Sequence, residues 1–239
     1  MKPCFLIVFA LILPTDVWAD SIVFEGAALT SQSISVSSGT NSDATAGWNP
    51  GVVPTIRAEY WINNSDSFDF GLTLAPLVFG TAEKLTSDIT VSGVTLPQGT
   101  LTAFNFQFHN LRLSANYPVL RWSEGRSYLR LGATGILNYA RFAFSSQTLK
   151  AVENDYLVVP IIRIDLAQSI SSEYSFVIHG DFLPLSPSLD TGFFDFFLGL
   201  KFERWEPGLR FFWGGFRDEN SLQTSNSTFF SSVAIRSVF

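Results

Sequence analysis

The chain has 239 residues and a formal net charge of −6; 46% of it is hydrophobic and only 15% is charged. No Lys/Arg cluster is present, which excludes the basic footprint of a nucleic-acid binder. Beyond its first 19 residues no apolar run reaches the length of about 20 that a membrane helix needs, although mean hydropathy is +0.23.

Residues 1–19 form a unit of their own. Lys2 supplies a positive start, Phe5 to Pro14 an apolar core too short to span a bilayer, and Val17-Trp18-Ala19 a small-residue cleavage site. This pattern predicts a secretory signal peptide cut before Asp20, leaving residues 20–239 as one domain. The single cysteine, Cys4, falls within that leader, so residues 20–239 contain no thiol for a disulfide or a metal. Twenty-four Phe, six Trp and six Tyr against one Met favour pleated strands and membrane interfaces.

From residue 21 onward the pattern is period two. Strand one, 21–38, sets Ile22, Phe24 and Ala28 against Glu25 and a row of serines. A polar segment with Trp48 fills 39–54. Strand two, 55–63, alternates Ile56, Ala58, Tyr60 and Ile62 with Arg57 and Glu59. After an Asn-Asn-Ser-Asp turn, strand three opens with Phe68, Phe70, Leu72 and Leu74 against Asp69, Gly71 and Thr73. Residues 82–100 read as a long loop with a small hairpin in DITVSGVTL.

Strand four, 101–118, places Phe104, Phe106 and Phe108 on the outward face and Asn105, Gln107 and His109 inward. Its phase then flips to Leu111 and Leu113 outward with Arg112 inward, which predicts a β-bulge at His109–Asn110. Strand five, 126–144, turns Arg130, Thr134 and Asn138 inward; strand six, 155–168, Arg163 and Asp165. Strand seven, 173–183, turns His179 and Asp181 inward, and strand eight Asp195, Lys201 and Glu203. Trp205-Glu206 reads as a near-minimal turn, Arg210 lies inward on strand nine, and strand ten runs from Asn226 to Phe239 with Arg236 inward.

Ten strands, with eight or twelve left open by strand one and the 82–100 loop, describe an all-β, antiparallel up-and-down transmembrane β-barrel. Turns on the side of the termini (63–67, 118–125, 169–172, 204–207) are shorter on the whole than those opposite, as in outer-membrane barrels. Trp61, Trp122, Tyr174 and Trp205 stand near the short turns and predict an interfacial aromatic girdle. The rival is a soluble sandwich or lipocalin-like barrel with its apolar face turned inward.

The closing strand, ending on Phe239, resembles the last strand of bacterial outer-membrane β-barrels. RLSANYPVL at 112–120, LRLGATG at 129–135 and VVPIIRIDL at 158–166 are similar to an uncharacterised family of small barrels of this kind. The closing pattern departs from the commonest form in having Ser237. This resemblance implies a bacterial outer-membrane location, both termini in the periplasm, contact with outer-membrane lipid and lipopolysaccharide, and recognition of the C-terminal strand by the barrel-assembly machinery. It transfers no catalytic residue.

The inward charges Arg57, Glu59, Arg130, Arg163, Asp165, His179, Asp181, Asp195, Arg210 and Arg236 have mixed signs and predict an ionic network filling a narrow bore. Strands six and seven are expected to set Arg163 across from His179 with Asp181 diagonal to it. One reading of this cluster is catalytic, with His179, Asp181 and Asp195 in the outer half of the barrel; ten-stranded omptin-type proteases use acidic residues and a His at the outer rim. No other omptin motif is matched. A lipid-modifying reading would need a base beside the outward Ser231 or Ser237, and none is placed there. The bland reading is an ionic plug. The expectation is a monomeric, non-enzymatic barrel with no cofactor and no metal, of structural or surface-interaction type, or a narrow pore for very small solutes; the alternative is an outer-membrane hydrolase.

Overall fold

The computed structural model describes residues 21–38, 46–47, 52–62, 68–124, 126–186, 191–217 and 224–239. The predicted leader at 1–19, the turn at 63–67 and parts of the segments 39–54, 184–191 and 217–226 lie outside the described residues. Ten long antiparallel strands form the wall: β1 (Ser21–Ser38), β3 (Val53–Ile62), β4 (Asp69–Lys84), β7 (Leu101–Trp122), β8 (Ser127–Ser145), β9 (Lys150–Ser169), β10 (Tyr174–Ser186), β11 (Thr191–Phe202), β12 (Trp205–Arg217) and β13 (Thr224–Val238). A two-residue strand, β2 (Ala46–Gly47), borders β1, and β5 (Ile89–Val91) with β6 (Val94–Leu96) makes the small hairpin.

Each wall strand pairs with its sequence neighbour, and β13 returns to β1 from Val23/Val238 to Ser38/Thr224, so the sheet closes. Closure continues through the last residue. The Ile22 amide donates to the Phe239 carbonyl at 3.0 Å, the Phe239 amide to the Ile22 carbonyl at 2.8 Å, and the Phe239 ring meets Phe24 at 6.3 Å. Closure leaves a lipid environment little edge to strand without hydrogen bonds, the exception being the β3–β4 seam beyond Ala58/Leu74.

Outward faces near the terminal end are apolar. Phe24, Phe70, Leu113, Leu131, Ile162, Leu200, Val233 and Ile235 are all exposed there. Aromatics bracket this belt, with Phe68 against Tyr117 (5.3 Å) and Tyr174 against Phe202 (6.4 Å) at one level and Phe194 against Trp213 (5.9 Å) at the other. Phe202 to Phe194 is about 27 Å along the strand, or roughly 20 Å after barrel tilt, close to the ~25 Å apolar band of a membrane barrel. The soluble alternative, with its apolar face inward throughout, does not fit this belt.

The 22-residue β7 is roughly 70 Å long, far more than the belt requires. Its projecting half corrects the sequence reading. Phe104, Phe106 and Phe108 point inward at 1%, 2% and 6% exposure, while Asn105 and His109 are exposed outside. No bulge occurs at His109–Asn110. The ladder to β8 runs unbroken from Ala103 to Pro118 and shifts only between Pro118 and Leu120. Beyond the belt the exterior is water, so the apolar face turns in and one unbroken phase serves both halves.

Phe79, Phe104, Phe106, Phe108, Phe142 and Phe144 fill this far half, with centroids as close as 5.0 Å for Phe104–Phe144. The β5–β6 hairpin folds over them, and its Ile89, Val91 and Leu96 are fully buried. Its turn is two residues, Ser92 (φ 48°) and Gly93 (φ 78°), the left-handed pair that a tight hairpin demands. The Ser92 hydroxyl donates to the Val152 carbonyl at 3.1 Å, tying the hairpin to β9.

The predicted turn at Trp205-Glu206 lies two residues earlier, at Glu203–Arg204. Phe202 pairs with Trp205, and Glu203 has φ 50° and is exposed rather than luminal. Of the predicted girdle, Tyr174 and Trp205 are exposed at the terminal end, and the Trp122 indole donates to Gln168 at 3.1 Å. Trp61 is a correction: it is buried in the bore at 7% exposure.

Candidate functional site

Because side chains alternate, every second residue of the belt region enters the bore, and the sequence supplies an ionisable group there on most strands. The result is one connected circuit. Arg163 on β9 meets Asp165 at 3.0 Å and Asp181 on β10 at 3.3 Å. Arg112 on β7 bridges Asp181 and Asp195, each at 2.5 Å. Asp195 on β11 also accepts from Arg57 on β3 at 2.8 Å and Arg210 on β12 at 2.5 Å. Arg57 reaches Glu59 at 2.8 Å, Arg210 reaches Glu25 on β1 at 2.5 Å, and Arg236 on β13 reaches Glu206 at 2.9 Å and Glu59 at 3.4 Å. Arg130 pairs with Asp69 at 3.0 Å, off to the terminal side.

The contacts of Arg57 and Arg112 with Asp195 join strands four steps apart in the ring, so the circuit crosses the bore instead of lining it. Aromatic faces cover the guanidiniums: Trp61 lies 4.7 Å from Arg163, Phe193 5.3 Å from Arg112, and Phe197 5.1 Å from Arg236. Such pairs are costly to desolvate and do not by themselves prove stability. Removing one partner, however, strands a buried charge.

On the terminal side of the circuit lies a polar cavity of 320 Å³, bordered by Trp61, Tyr128, Arg130, His179, Lys201 and Glu206 among others. On its far side is a smaller cavity of 80 Å³ under Leu29, Leu77, Phe108 and Phe212. The Phe layer and hairpin close the bore above that. From the terminal end the bore therefore runs from polar cavity to ionic bridge to apolar plug.

His179 illustrates where the sequence reading fails. Asp181, not His179, stands opposite Arg163, and His179 stands opposite Asp165. Its Nδ1 is 2.9 Å from Asp165 and its Nε2 3.5 Å from Glu206, while its ring stacks on Phe197 at 6.0 Å. It lies five residues from Tyr174 at the terminal end, not in the half away from the termini. The expected trio of His179, Asp181 and Asp195 is not brought together: both aspartates are held by arginines, and Asp181 also accepts from Thr134 at 3.0 Å. Among the described residues no group of three or more His, Cys, Asp or Glu side chains is arranged to hold a metal ion.

Glu206, Glu25 and Arg112 are central to the circuit yet absent from the predicted ionic network, although the alternation of β7 sets Arg112 inward. Glu206 falls in the predicted turn, although the alternation Glu206, Gly208, Arg210 sets it in phase with the bore, where it is buried. Trp61 shares the phase of Arg57 and Glu59, a signal that it would turn inward.

No known family model and no curated protein matches this sequence. Among solved structures, the chain is similar to the outer-membrane protease OmpT from Escherichia coli, with 9% identity, 93% of this chain and 98% of that chain covered, and a TM-score of 0.53. The translocator domain of the autotransporter NalP from Neisseria meningitidis matches at 10% identity over 91% and 86% of the chains, with a TM-score of 0.45. The attachment invasion locus protein Ail of Yersinia pestis matches at 8% identity over 90% and 97%, with a TM-score of 0.43. The fold is thus that of the bacterial outer-membrane β-barrels, closed and ten-stranded.

Proposed function

We propose that this protein is a monomeric outer-membrane barrel of structural or surface-interaction type, non-enzymatic and closed to solutes. Its termini face the periplasm and its long β7–β8–β9 wall projects from the cell. The observation that carries the reading is the doubly blocked bore, with a cross-bore ion-pair bridge at belt depth and a phenylalanine plug capped by the hairpin above it. This blockage argues against the narrow-pore expectation. The engagement of Asp181 and Asp195 by arginines argues against the hydrolase alternative. Lipid and lipopolysaccharide contact the apolar belt and its far rim, and the β13 strand is the segment offered to the assembly machinery.

Surface labelling tests the orientation. Thr148 is exposed in the β8–β9 turn at the far end, and residues 20–239 contain no native cysteine. A Thr148→Cys variant is expected to react with a membrane-impermeant maleimide on intact cells. Reaction only after the outer membrane is breached would overturn the assignment.

A further inference from the structure

Among the described residues the shortest ladder of the barrel wall is that between β3 and β4. Their ladder runs only from Ile62/Phe70 to Ala58/Leu74. Continuing that register would set Arg57 opposite Ala75 and Ile56 opposite Pro76, but among the described residues no such pairing forms, and Val53–Arg57 and Ala75–Lys84 pair on one side only. Pro76 lacks an amide hydrogen and cannot donate to a ladder, so the break is written into the sequence. The β9–β10 ladder also stops short, at Ile162/Phe182, but there Ile161, Leu183 and Phe193 fill the junction with a packed cluster.

The β3–β4 gap instead opens into the 80 Å³ cavity, whose rim includes Ile56 and Pro76. The interior walls are Leu29, Leu77, Phe108 and Phe212. The floor charges are already committed to one another, Arg112 and Arg210 both to Asp195, and of the polar side chains on this lining only the Asn110 amide nitrogen is buried without a partner among the described residues. Outside, Ile56, Leu74 and Val78 are exposed apolar lips that continue the belt. A small pocket whose open surface is largely apolar and whose floor charges are paired, with a mouth in the lipid-facing wall, matches the end of a hydrocarbon chain, and is too small for a headgroup.

We propose that the β3–β4 gap is a lateral portal that seats the end of one acyl chain of a surrounding membrane lipid in this cavity. The proposal rests on the membrane placement given above. The mature chain is reconstituted in phosphatidylcholine vesicles containing a phospholipid with a diazirine at its acyl terminus, irradiated, digested and mapped by mass spectrometry. Adducts are expected on the inward Leu77 and Phe108 as well as on the outward Leu74 and Val78. Adducts on outward residues alone would overturn the portal while leaving the membrane placement intact; adducts nowhere in the belt would overturn both. Filling the cavity with Leu77→Trp should abolish the Phe108 adduct and retain those on Leu74 and Val78, with the folded fraction read from heat-modifiable gel migration. An undiminished Phe108 adduct in that folded variant would also overturn the portal.

Discussion

Arg112 offers the sharpest test of the ionic bridge. It is 1% exposed and donates to Asp181, to Asp195 and, through Nε at 2.9 Å, to Asn110. Replacing it with Met keeps much of the volume but leaves two carboxylates short of a cation. Asp195 retains Arg57 and Arg210, and Asp181 retains Arg163 and Thr134, so neither is abandoned. The expected loss is therefore that of breaking one buried pair, about 3–5 kcal/mol, not a multiple of it. Adding Asp181→Asn to Arg112→Met restores the charge balance and should return about 2 kcal/mol as a coupling energy. Urea unfolding in vesicles, followed by tryptophan emission and gel migration, measures both. A single variant within about 1 kcal/mol of the parent, or losses that simply add in the double variant, would refute the bridge as a coupled unit.

Three other outcomes follow from the geometry. Phe106→Ala should cost about 3–5 kcal/mol because the ring is buried in the plug, whereas Gln107→Ala on the outer face should stay within about 0.5 kcal/mol; reversed magnitudes would mean the faces are the other way round. Gly71→Leu would put a Cβ 2.6 Å from the Trp61 indole, costing about 1–3 kcal/mol of overpacking and red-shifting tryptophan emission as the ring leaves Glu59; unchanged emission would contradict that packing. Deleting Phe239 removes both main-chain bonds to Ile22 and the Phe24 contact, and should lower the assembled fraction in cells more than Ser237→Ala does. Equal yields would dissociate the closing residue from assembly.

The wall was legible because strand alternation is a local signal. All ten long strands, the DITVSGVTL hairpin and the return of β13 to β1 follow from residues that alternate or turn where they stand. What alternation does not encode is which face is inside. At belt depth the apolar face of Phe70 or Ile162 goes to the exterior, but above it the apolar face of Phe104 goes to the interior. The sequence shows only a change of side, which a bulge would also produce. Cross-bore partners were illegible for another reason. Arg57 and Asp195 are 138 positions apart, and their meeting depends on barrel diameter and stagger, which no single strand specifies. Register errors of two residues, as between Arg163 and His179, leave the luminal set unchanged and alter only the pairs. The luminal set was thus more readable than its wiring.

The central claim is a membrane barrel whose bore is closed at two levels, and single-channel recording in a planar bilayer tests it most directly. Protein shown to be folded by gel migration should insert and give no discrete conductance steps at moderate voltage, with the baseline unchanged when salt is raised. Reproducible unitary steps from that same folded protein would contradict the account.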